Sequence, residues 1–334
     1  MKAQAEMKFT AFGAHVLEID PEAETRRIAE ALRQQLRTLR KRGLVVGLSG
    51  GIDSSVSAAL AVRAVGARNV FALFMPEHDS DPESLRLGRL AVESLGIESV
   101  LEDIGPTLAA MGCYERRDAF IRSIVPNYGA GWTSKVVIGN ALEGGYNLSY
   151  LVVADPAGKQ ARLRIPHATY LGIVAATNMK QRTRKQLEYY HADRLNFAVL
   201  GTPNRLEYDQ GFFVKNGDGA ADVKPIAHLY KSQVYALADH LGISQEIRSR
   251  PPTTDTYSLS QTQEEFYFSL PWDKMDLCLY GYNHGMPAGE VGLAVGLSAD
   301  EVGRVFADIE AKRRATRYLH EKALLVRLVE EIGF

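Results

Sequence analysis

Residues 49–55 of this 334-residue chain read SGGIDSS and combine the groups that hold phosphate. The paired glycines, Gly50 and Gly51, allow a tight turn whose N–H groups can approach an anion. The hydroxyls of Ser49 and Ser54 can donate further hydrogen bonds. A helix predicted after the turn would add its positive N-terminal end. The segment therefore predicts a phosphate-binding loop, although it lacks the GxxxxGK[ST] spacing of a Walker loop.

Asp53, inside this segment, would repel phosphate unless it holds a metal ion. Glu207 could complete such a site, because two carboxylates with phosphate oxygens and water suit magnesium. The alternative for Asp53 is that it only caps the following helix, as often happens where a strand turns into a helix. The alternative for Glu207 is a solvated surface acid. The sequence thus predicts a magnesium site at Asp53 and Glu207, with a structural alternative for each residue.

The elements that must position this loop alternate between strands and helices. Apolar, β-branched runs predict strands at residues 44–49, 69–76, 99–104 and 197–202. Helical spacing of apolar residues predicts helices at residues 22–42, 56–65, 82–95, 172–194 and 231–241. This alternation predicts an α/β fold, with a doubly wound, mostly parallel sheet flanked by helices.

Residues 105–169 interrupt the alternation. Within them, residues 149–155 (SYLVVAD) and 161–166 (ARLRIP) indicate two short strands joined by a turn. Nearer the C-terminus, helical patterns predominate, at residues 261–268, 288–295 and 300–331. We therefore expect a single α/β domain over residues 1–334, with an irregular and β-containing insertion at 105–169 that could cover the active site and a helical part at 260–334.

The composition argues against several classes of protein. The 39 basic and 40 acidic residues, with a pI near 6.7, give no global field that would gather nucleic acid or an anionic membrane. Cys113 and Cys278 lack the spacing of a metal or redox motif, which fits a reducing cytoplasm. Residues 1–10 lack the apolar core of a secretory signal, and no stretch approaches the roughly 18–20 apolar residues that span a bilayer. We expect a cytoplasmic protein with no nucleic-acid or membrane partner.

The SGGIDSS segment after an apolar strand resembles the SGGxDS signature of the ATP pyrophosphatase, or PP-loop, family. That resemblance implies an adenine nucleotide alpha hydrolase-like fold. Members of the family cleave ATP between the α and β phosphates and adenylate a substrate oxygen. The resemblance places ATP against the loop residues, namely Gly47, Leu48, Ser49, Gly50, Gly51, Ile52, Asp53 and Ser54.

Residues 200–233 narrow the choice within the family, because they resemble a long pattern of NAD synthetases. The matching features are a GT turn, a downstream glutamate, a GFFxKxGDG segment, an aspartate and a lysine near the next helix. This implies ATP contacts at Thr202 and Lys231, and contacts to deamido-NAD at Lys215 and Asp222. Lysine suits phosphate as a mobile point charge, so Lys231 could neutralise the departing pyrophosphate.

Residues 178–184 (NMKQRTR) look like the NxxxRxR segment of the same enzymes, in which the first arginine contacts the dinucleotide. The match implies that Arg182 binds deamido-NAD. Because Arg182 and Arg184 lie two apart on a predicted helix, we expect one to bind and the other to pair or remain solvated. The alternative is that both are ordinary surface arginines.

Two shorter segments complete the resemblance. Residues 252–255 (PTTD) resemble a PTAD segment whose threonine contacts ATP, which implies that role for Thr253. Residues 311–314 (AKRR) resemble a basic segment in which a histidine–lysine pair approaches the substrate. Here Ala311 stands at the histidine position, which leaves Lys312 as the implied substrate contact.

The resemblance implies an ammonia-dependent ligase that uses Mg²⁺. In such an enzyme the nicotinate carboxylate of deamido-NAD attacks ATP, pyrophosphate leaves, and ammonia converts the acyl-adenylate to NAD and AMP. The implied catalytic residues are Asp53, Lys231 and Asp218. The last is a candidate acceptor for the proton that ammonium must lose, with Asp222 as the other candidate. A homodimer is also implied.

Three alternatives stay open at this point. Residues 105–169 and Ala311 allow another PP-loop ligase that acts on a different carboxylate. A nucleotide-binding regulatory module without catalysis is a second reading, although it need not keep Asp53, Glu207 and Lys231 together. Since neither cysteine lies in a recognisable amidase context, free ammonia is the simplest nitrogen donor, with a separate amidotransferase subunit as the alternative.

Overall fold

The computed structural model describes residues 11–139, 149–253, 256–327 and 329. The expectation of a missing secretory signal falls on residues 1–10, and the last two positions of the PTTD segment are residues 254–255; both lie outside the described residues. Every residue proposed above for catalysis or binding lies within them.

The described residues form seven strands in two sheets. In chain order these are β1 (Leu44–Gly47), β2 (Val70–Phe74), β3 (Glu98–Leu101), β4 (Thr133–Ile138), β5 (Ser149–Ala154), β6 (Gln160–Arg164) and β7 (Ala198–Val199). Four of them build a parallel sheet in the order β3-β2-β1-β7. The other three build an antiparallel sheet in the order β4-β5-β6.

The α-helices of the described residues surround these sheets. In chain order they are α1 (Pro21–Leu39), α2 (Ile52–Val65), α3 (Pro82–Leu95), α4 (Gly105–Ala110), α5 (Cys113–Arg122), α6 (His167–Leu195), α7 (Arg205–Gln210), α8 (Lys231–His240), α9 (Gln245–Ser249), α10 (Trp272–Asn283), α11 (Ala288–Val295) and α12 (Ala299–His320). The alternation of strands and helices around a parallel sheet confirms the predicted fold class.

Local capping explains why several helices begin where the sequence predicts. The carboxylate of Asp20 accepts hydrogen bonds from the first turn of α1, and Pro21 occupies the first helical position. Asp81 and Pro82 do the same for α3, which ends where Gly96 adopts a left-handed conformation. The predicted helix at residues 82–95 therefore has the bounds of α3.

Helices cover both faces of the parallel sheet. Leu44 and Val46 of β1 lie in a core built with α1, α2 and α8, whereas Val45 lies in a second core with residues of α6. Because successive side chains of a strand point to opposite faces, this apolar run is buried on both sides. Each such side chain contributes roughly 1.5–3 kcal/mol by leaving water. That burial fixes β1 at the centre of the sheet.

The strand order creates a crevice at the end of β1. The chain moves outward from β1 to β2 and β3, and then returns on the other side of β1 as β7. Ligands of open parallel sheets bind at the carboxyl ends of the strands where the order reverses. Residues 49–55 follow β1 and Gly201 and Thr202 follow β7, so the topology brings both predicted nucleotide contacts to one crevice.

The region at 105–169 contains the two strands predicted from sequence, which pair as β5 and β6. It also contains β4 and the helices α4 and α5, which the sequence analysis did not identify. Leu108 of α4 and Cys113 of α5 lie in the same core as Val45 of β1, so the expectation of an irregular and β-containing insertion is wrong for residues 105–122. The outer edge of β4 is covered by a later segment, since Leu259 N–H donates to Ser134 O at 3.2 Å and Gln261 Nε2 donates to Val136 O. Covering an edge strand in this way protects unpaired backbone groups.

The C-terminal part is helical, but the bounds of two helices predicted there differ from the structure, as do those of the strand predicted at 197–202. The pattern at 261–268 forms a π-helical turn, Glu264–Phe268, and α12 ends at His320 rather than near residue 331. The last buried residue of α12 is Ile309, and a helical continuation without packing is marginal in water. The strand predicted at 197–202 is short because the chain turns at Gly201, whose N–H donates to Val223 O at 2.8 Å.

Within the described residues, no helix is both long enough and apolar enough to span a membrane.

Candidate active site

A cleft of about 1080 Å³ opens at the carboxyl ends of β1 and β7. Its walls come from the SGGIDSS loop, α6, α7, the start of α8 and the end of α12. The region at 105–169 adds Ile138, Gly139, Ser149 and His167. Most pockets for one small molecule occupy roughly 300–1,000 Å³. The cleft therefore lies at the upper end of the size range of ligand-binding pockets.

The SGGIDSS loop is shaped by one glycine and by its own hydroxyl groups. Gly50 has φ of +72°, and a Cβ there would lie 2.3 Å from Ser84 O on α3. Ser54 Oγ and Ser55 Oγ both donate to Gly51 O, at 3.0 and 2.9 Å. Among the described residues no side chain caps α2, so its first N–H groups face the cleft available to an anion.

Asp53 pairs with Lys231 instead of capping α2. Its Oδ2 accepts a charge-assisted hydrogen bond from Lys231 Nζ, and its Oδ1 accepts one from Asn204 Nδ2 at 3.1 Å. Lys231 is 1% exposed. Burial opposes its charge, but the carboxylates of Asp53 and Glu207 outweigh burial and raise the pKa of Lys231. The helix-cap alternative for Asp53 therefore does not hold.

Glu207 belongs to a capping box at the start of α7. Asn204 Oδ1 accepts from the N–H groups of Leu206 and Glu207, while Glu207 Oε2 accepts from Asn204 N–H at 3.1 Å. The other oxygen, Oε1, accepts from Gln263 Nε2 at 2.9 Å. Burial, followed by the nearby carboxylate of Asp53, raises the pKa of Glu207. The surface-acid alternative for Glu207 is therefore wrong.

The two carboxylates of Asp53 and Glu207 form a donor set that fits magnesium. Burial and then the nearby charge of Asp53 raise the pKa of Glu207, and a divalent cation would offset both effects. In the part of the chain that the structure describes, no group of three or more His, Cys, Asp or Glu residues is arranged for a metal. A cation at this position would thus take its other ligands from phosphate and water.

Asp276 supports Lys231 from α10, and the sequence analysis did not identify it. Its carboxylate accepts from the backbone N–H groups of Lys231 and Ser232, at 3.1 and 2.7 Å. The residue is fully buried, and burial raises its pKa to about 6. Asp276 therefore caps α8 through a contact between distant parts of the chain, which no local pattern indicates.

Lys215 and Lys312 both line the cleft near the end of α12. Lys215 Nζ donates to the carbonyl oxygens of Tyr318 and Glu321, at 2.5 and 3.2 Å. Lys312 Nζ donates to Asp308 Oδ2 at 2.6 Å. Burial lowers the pKa of Lys312, and Asp308 opposes that effect. Each lysine is therefore already held in place at the cleft wall.

Arg182 and Arg184 both line the cleft, so their positions alone do not show which one binds and which one pairs or remains solvated. Arg182 Nε donates to Lys215 O, and Arg184 Nε donates to Met75 O, each at 3.2 Å. The cleft extends around more than one side of α6, so spacing alone does not divide the two arginines. Which of them binds a ligand stays a prediction.

Asp218 and Asp222 lie in different places. Asp218 lines the cleft, its Oδ1 accepts from Val214 N–H at 2.8 Å, and burial raises its pKa. Asp222 does not line the cleft; its Oδ2 accepts from Val199 N–H at 2.7 Å. Asp222 therefore holds β7 beside the site.

The other residues predicted for binding meet in the same cleft. Those that line it are Gly47, Leu48, Ser49, Gly51, Ile52, Ser54, Thr202 and Thr253, whereas Gly50 lies behind the loop against α3. Ala311 also lines it, where the resembling enzymes carry a histidine. Sequence reasoning missed Glu188, a buried acid of α6 that lines the cleft but stands in a helical pattern with no motif.

Comparisons with known proteins show which family the chain belongs to. A family model described as NAD synthase matches residues 24–126 and 159–317. A protein named NH(3)-dependent NAD(+) synthetase from Rhizobium meliloti (strain 1021) is 76% identical over 322 residues, which are 96% of this chain and 96% of that one. The family match leaves out residues 127–158, where β4 and β5 lie.

Solved structures share the fold. One titled as NMN synthetase from Francisella tularensis has a TM-score of 0.64 at 23% identity, covering 93% of this chain and 100% of that one. One titled as NH3-dependent NAD synthetase from Campylobacter jejuni, in complex with nitrate, has a TM-score of 0.60 at 21% identity, with coverage of 93% and 100%. At these identities the likeness concerns the fold, while the family model and the 76% identical relative decide membership. This chain belongs to the NAD synthase family.

Proposed function

We propose that the protein amidates deamido-NAD with ammonia, at the cost of ATP, and releases NAD, AMP and pyrophosphate. The observation that carries this proposal is the meeting of Asp53, Glu207 and Lys231 beside an uncapped helix N-terminus, in a chain of the NAD synthase family. The cleft volume, about 1080 Å³, supports binding of a nucleotide and a dinucleotide together.

The triphosphate of ATP binds the loop at residues 47–54. Backbone N–H groups and the free first turn of α2 stabilise its negative charge, and Thr202 and Thr253 contact the same nucleotide. Lys231 stabilises the charge that develops on the departing pyrophosphate, from a position that Asp276 fixes through the backbone of α8. A lysine held in place before the reaction need not reorganise during it.

Asp53 and Glu207 are the residues that would hold magnesium. When bound, the ion neutralises charge on the phosphates of ATP and so assists adenylation. Lys231 shares Asp53 with this site, which keeps a positive charge beside the phosphates in either case. The carboxylate of Glu207 also favours a divalent cation, since it lies near that of Asp53 and its own hydrogen bonds come from the uncharged groups Asn204 N–H and Gln263 Nε2.

Deamido-NAD binds along the wall formed by α6 and the end of α12. Arg182, Lys215 and Lys312 line that wall and supply positive charge for its diphosphate and carboxylate. Asp222 lies beside this wall and would have to exchange its hydrogen bond with Val199 N–H for one to the substrate.

The reaction then needs two displacements in one cleft. The nicotinate carboxylate forms a bond to the α-phosphorus of ATP, and pyrophosphate leaves. Ammonia forms the C–N bond of the amide, and the C–O bond to AMP breaks. Asp218 is the proposed acceptor of the proton that ammonium loses, because burial makes its carboxylate more basic. Holding the reactants together supplies much of the rate.

The test is to incubate the protein with ATP, Mg²⁺, ammonium and deamido-NAD, and to follow NAD, AMP and pyrophosphate together. Equal amounts of the three products are expected, with none when glutamine replaces ammonium. Nicotinate mononucleotide serves as a competing carboxylate, because Ala311 lines the cleft where the resembling enzymes carry a histidine that approaches the dinucleotide. Faster amidation of that mononucleotide would assign the protein to another substrate, and absence of pyrophosphate release would favour a regulatory module.

We further propose the domain organisation that the sequence indicates, a single α/β domain with an insertion at residues 105–169 and a helical part at 260–334. Ile138, Ser149 and His167 support a covering role for the insertion, because they line the cleft. A homodimer in the cytoplasm completes the proposal. Analytical ultracentrifugation tests the dimer. Deletion of residues 133–164, which hold β4, β5 and β6, should expose the site while α4 and α5 stay in the core of the parallel sheet.

A further inference from the structure

Glu188 of α6 lies at the base of the cleft and has no part in the steps above. It is 7% exposed and lines the cleft where β1 ends. Its Oε1 lies 3.0 Å from the point that a Cβ on Gly47 would occupy, directly below the phosphate-binding loop. A carboxylate buried this deeply is costly unless it meets a partner.

One oxygen of Glu188 has such a partner and the other is available. Lys185, also buried, donates from Nζ to Glu188 Oε2 at 2.6 Å. No described residue donates a hydrogen bond to Glu188 Oε1. Since Glu188 lines the cleft, this free acceptor can meet a ligand there.

Asp218 adds a second carboxylate close to this pair. Burial raises the pKa of Asp218, the charge of Lys185 lowers it, and the charge of Glu188 raises it, so the three groups interact. Lys224 is the other cation nearby, and its Nζ donates to Gly219 O at 2.7 Å. Both lysines therefore have hydrogen-bond acceptors of their own.

The charges of the proposed substrates indicate which of them Glu188 Oε1 can bind. ATP and deamido-NAD carry negative phosphates, which a buried carboxylate repels. Ammonium is the cationic substrate, and it carries N–H donors that suit carboxylate oxygens. We propose that Glu188, through Oε1 and together with Asp218, forms the ammonium-binding site of the enzyme. This inference rests on the proposed function.

The site accounts for the fate of each proton. Ammonium donates a hydrogen bond to Glu188 and gives one proton to Asp218. The lone pair of the resulting ammonia forms the C–N bond to the acyl carbon. The C–O bond to adenylate breaks, its electron pair leaves with AMP, and the second proton passes from nitrogen to water. Lys185 stays paired with Glu188 Oε2 throughout, so Oε1 remains the oxygen that meets the ligand.

The decisive variant is Glu188→Gln, compared with the double variant Lys185→Met/Glu188→Gln. The single change leaves a buried lysine without its acid and can destabilise the fold, whereas the double change removes both charges. In both, we expect the KM for ammonium to rise about 10- to 100-fold, the range for loss of a hydrogen bond to a charged group. The KM values for ATP and deamido-NAD should stay as in the wild type.

The use of hydroxylamine in place of ammonium separates ammonium binding by Glu188 from a purely structural role of that residue. Hydroxylamine is an uncharged nucleophile at neutral pH, so the variants should use it nearly as well as the wild type does. An unchanged KM for ammonium in the double variant would overturn the inference, and so would a raised KM for ATP, which would assign Glu188 to the nucleotide. If the wild type itself makes no NAD from ammonium, the proposed function fails first and the inference falls with it.

Discussion

The carboxylate of Asp53 pairs with the ammonium group of Lys231, although 178 positions separate the two residues in the chain. Asp53 lies in the first turn of α2, and Lys231 is the first residue of α8. The two helices pack on the same face of the parallel sheet and share one core. Their pairing places a fixed positive charge beside the phosphate-binding loop.

Replacement of Lys231 by Met should abolish most of the activity. The change removes the cation proposed to stabilise the departing pyrophosphate, and loss of one such group commonly costs about 100- to 1,000-fold in rate. Pyrophosphate release under saturating ATP and deamido-NAD measures the effect. Lys159→Met, at an exposed turn between β5 and β6, is the matched control. Equal rates for the two variants would remove Lys231 from catalysis.

Replacement of Glu207 by Gln should weaken magnesium binding, so that activity falls at low concentrations of the ion. The amide keeps nearly the same size but lacks the charge that favours a divalent cation. We expect the Mg²⁺ concentration for half-maximal activity to rise about tenfold or more, as one charged ligand contributes at least 1.4 kcal/mol. Titration of activity with Mg²⁺ at fixed ATP tests this. A curve that superimposes on that of the wild type would exclude Glu207 as a ligand.

Titration of the buried Asp276 carboxyl group should make the free energy of unfolding fall as pH rises from about 4 to about 6. Burial raises its pKa from 3.8 to about 6, so the folded state binds more protons than the unfolded state in that window. The stability that protonation supplies is present below pH 4 and is lost as pH rises through the folded pKa. The loss amounts to about 3 kcal/mol.

The measurement is urea unfolding at a series of pH values, for the wild type and for Asp276→Asn. The asparagine cannot titrate, so the difference in unfolding free energy between the two proteins should change across the window. Other carboxyl groups titrate in both proteins and cancel in that difference. A difference that stays constant from pH 4 to 6 would contradict the assignment.

Gly50→Ala should disturb both folding and ATP binding. The new Cβ would lie 2.3 Å from Ser84 O and would also strain a residue with φ of +72°. We expect a loss of about 1–3 kcal/mol in unfolding free energy and weaker binding of ATP. Gly66→Ala is the matched control, because Gly66 has φ of +81° with no atom within 4 Å of the added Cβ. If both variants bind ATP as the wild type does, the loop does not depend on Gly50.

Several elements could be predicted because their causes lie within a few residues. The loop at 49–55 carries its own glycines and hydroxyls, and α3 is bounded by Asp81, Pro82 and Gly96. Strand β4 was not predicted, because the residues that cover its edge are distant from it in sequence. Its edge is covered by Leu259 and Gln261, more than a hundred positions later.

The features of the candidate site also divide into those that the sequence predicted and those that only the structure showed. Motif resemblance was enough to select Asp53, Thr202 and Lys231, which line one cleft. Resemblance could not show that Asp222 turns towards the backbone of Val199 and away from the cleft. That orientation follows from the packing of β7 and is invisible in the order of residues.

The sequence by itself determined the parallel α/β architecture, the glycine turn at residues 49–55 and the family, because periodicity, glycine turns and motifs are local properties of the chain. The tertiary structure alone decided which charges meet. It paired Asp53 with Lys231, placed Glu207 beside them, and left one oxygen of Glu188 open to the cleft. The reason is physical: charge pairing and burial depend on distances across the fold, and the strand order sets those distances.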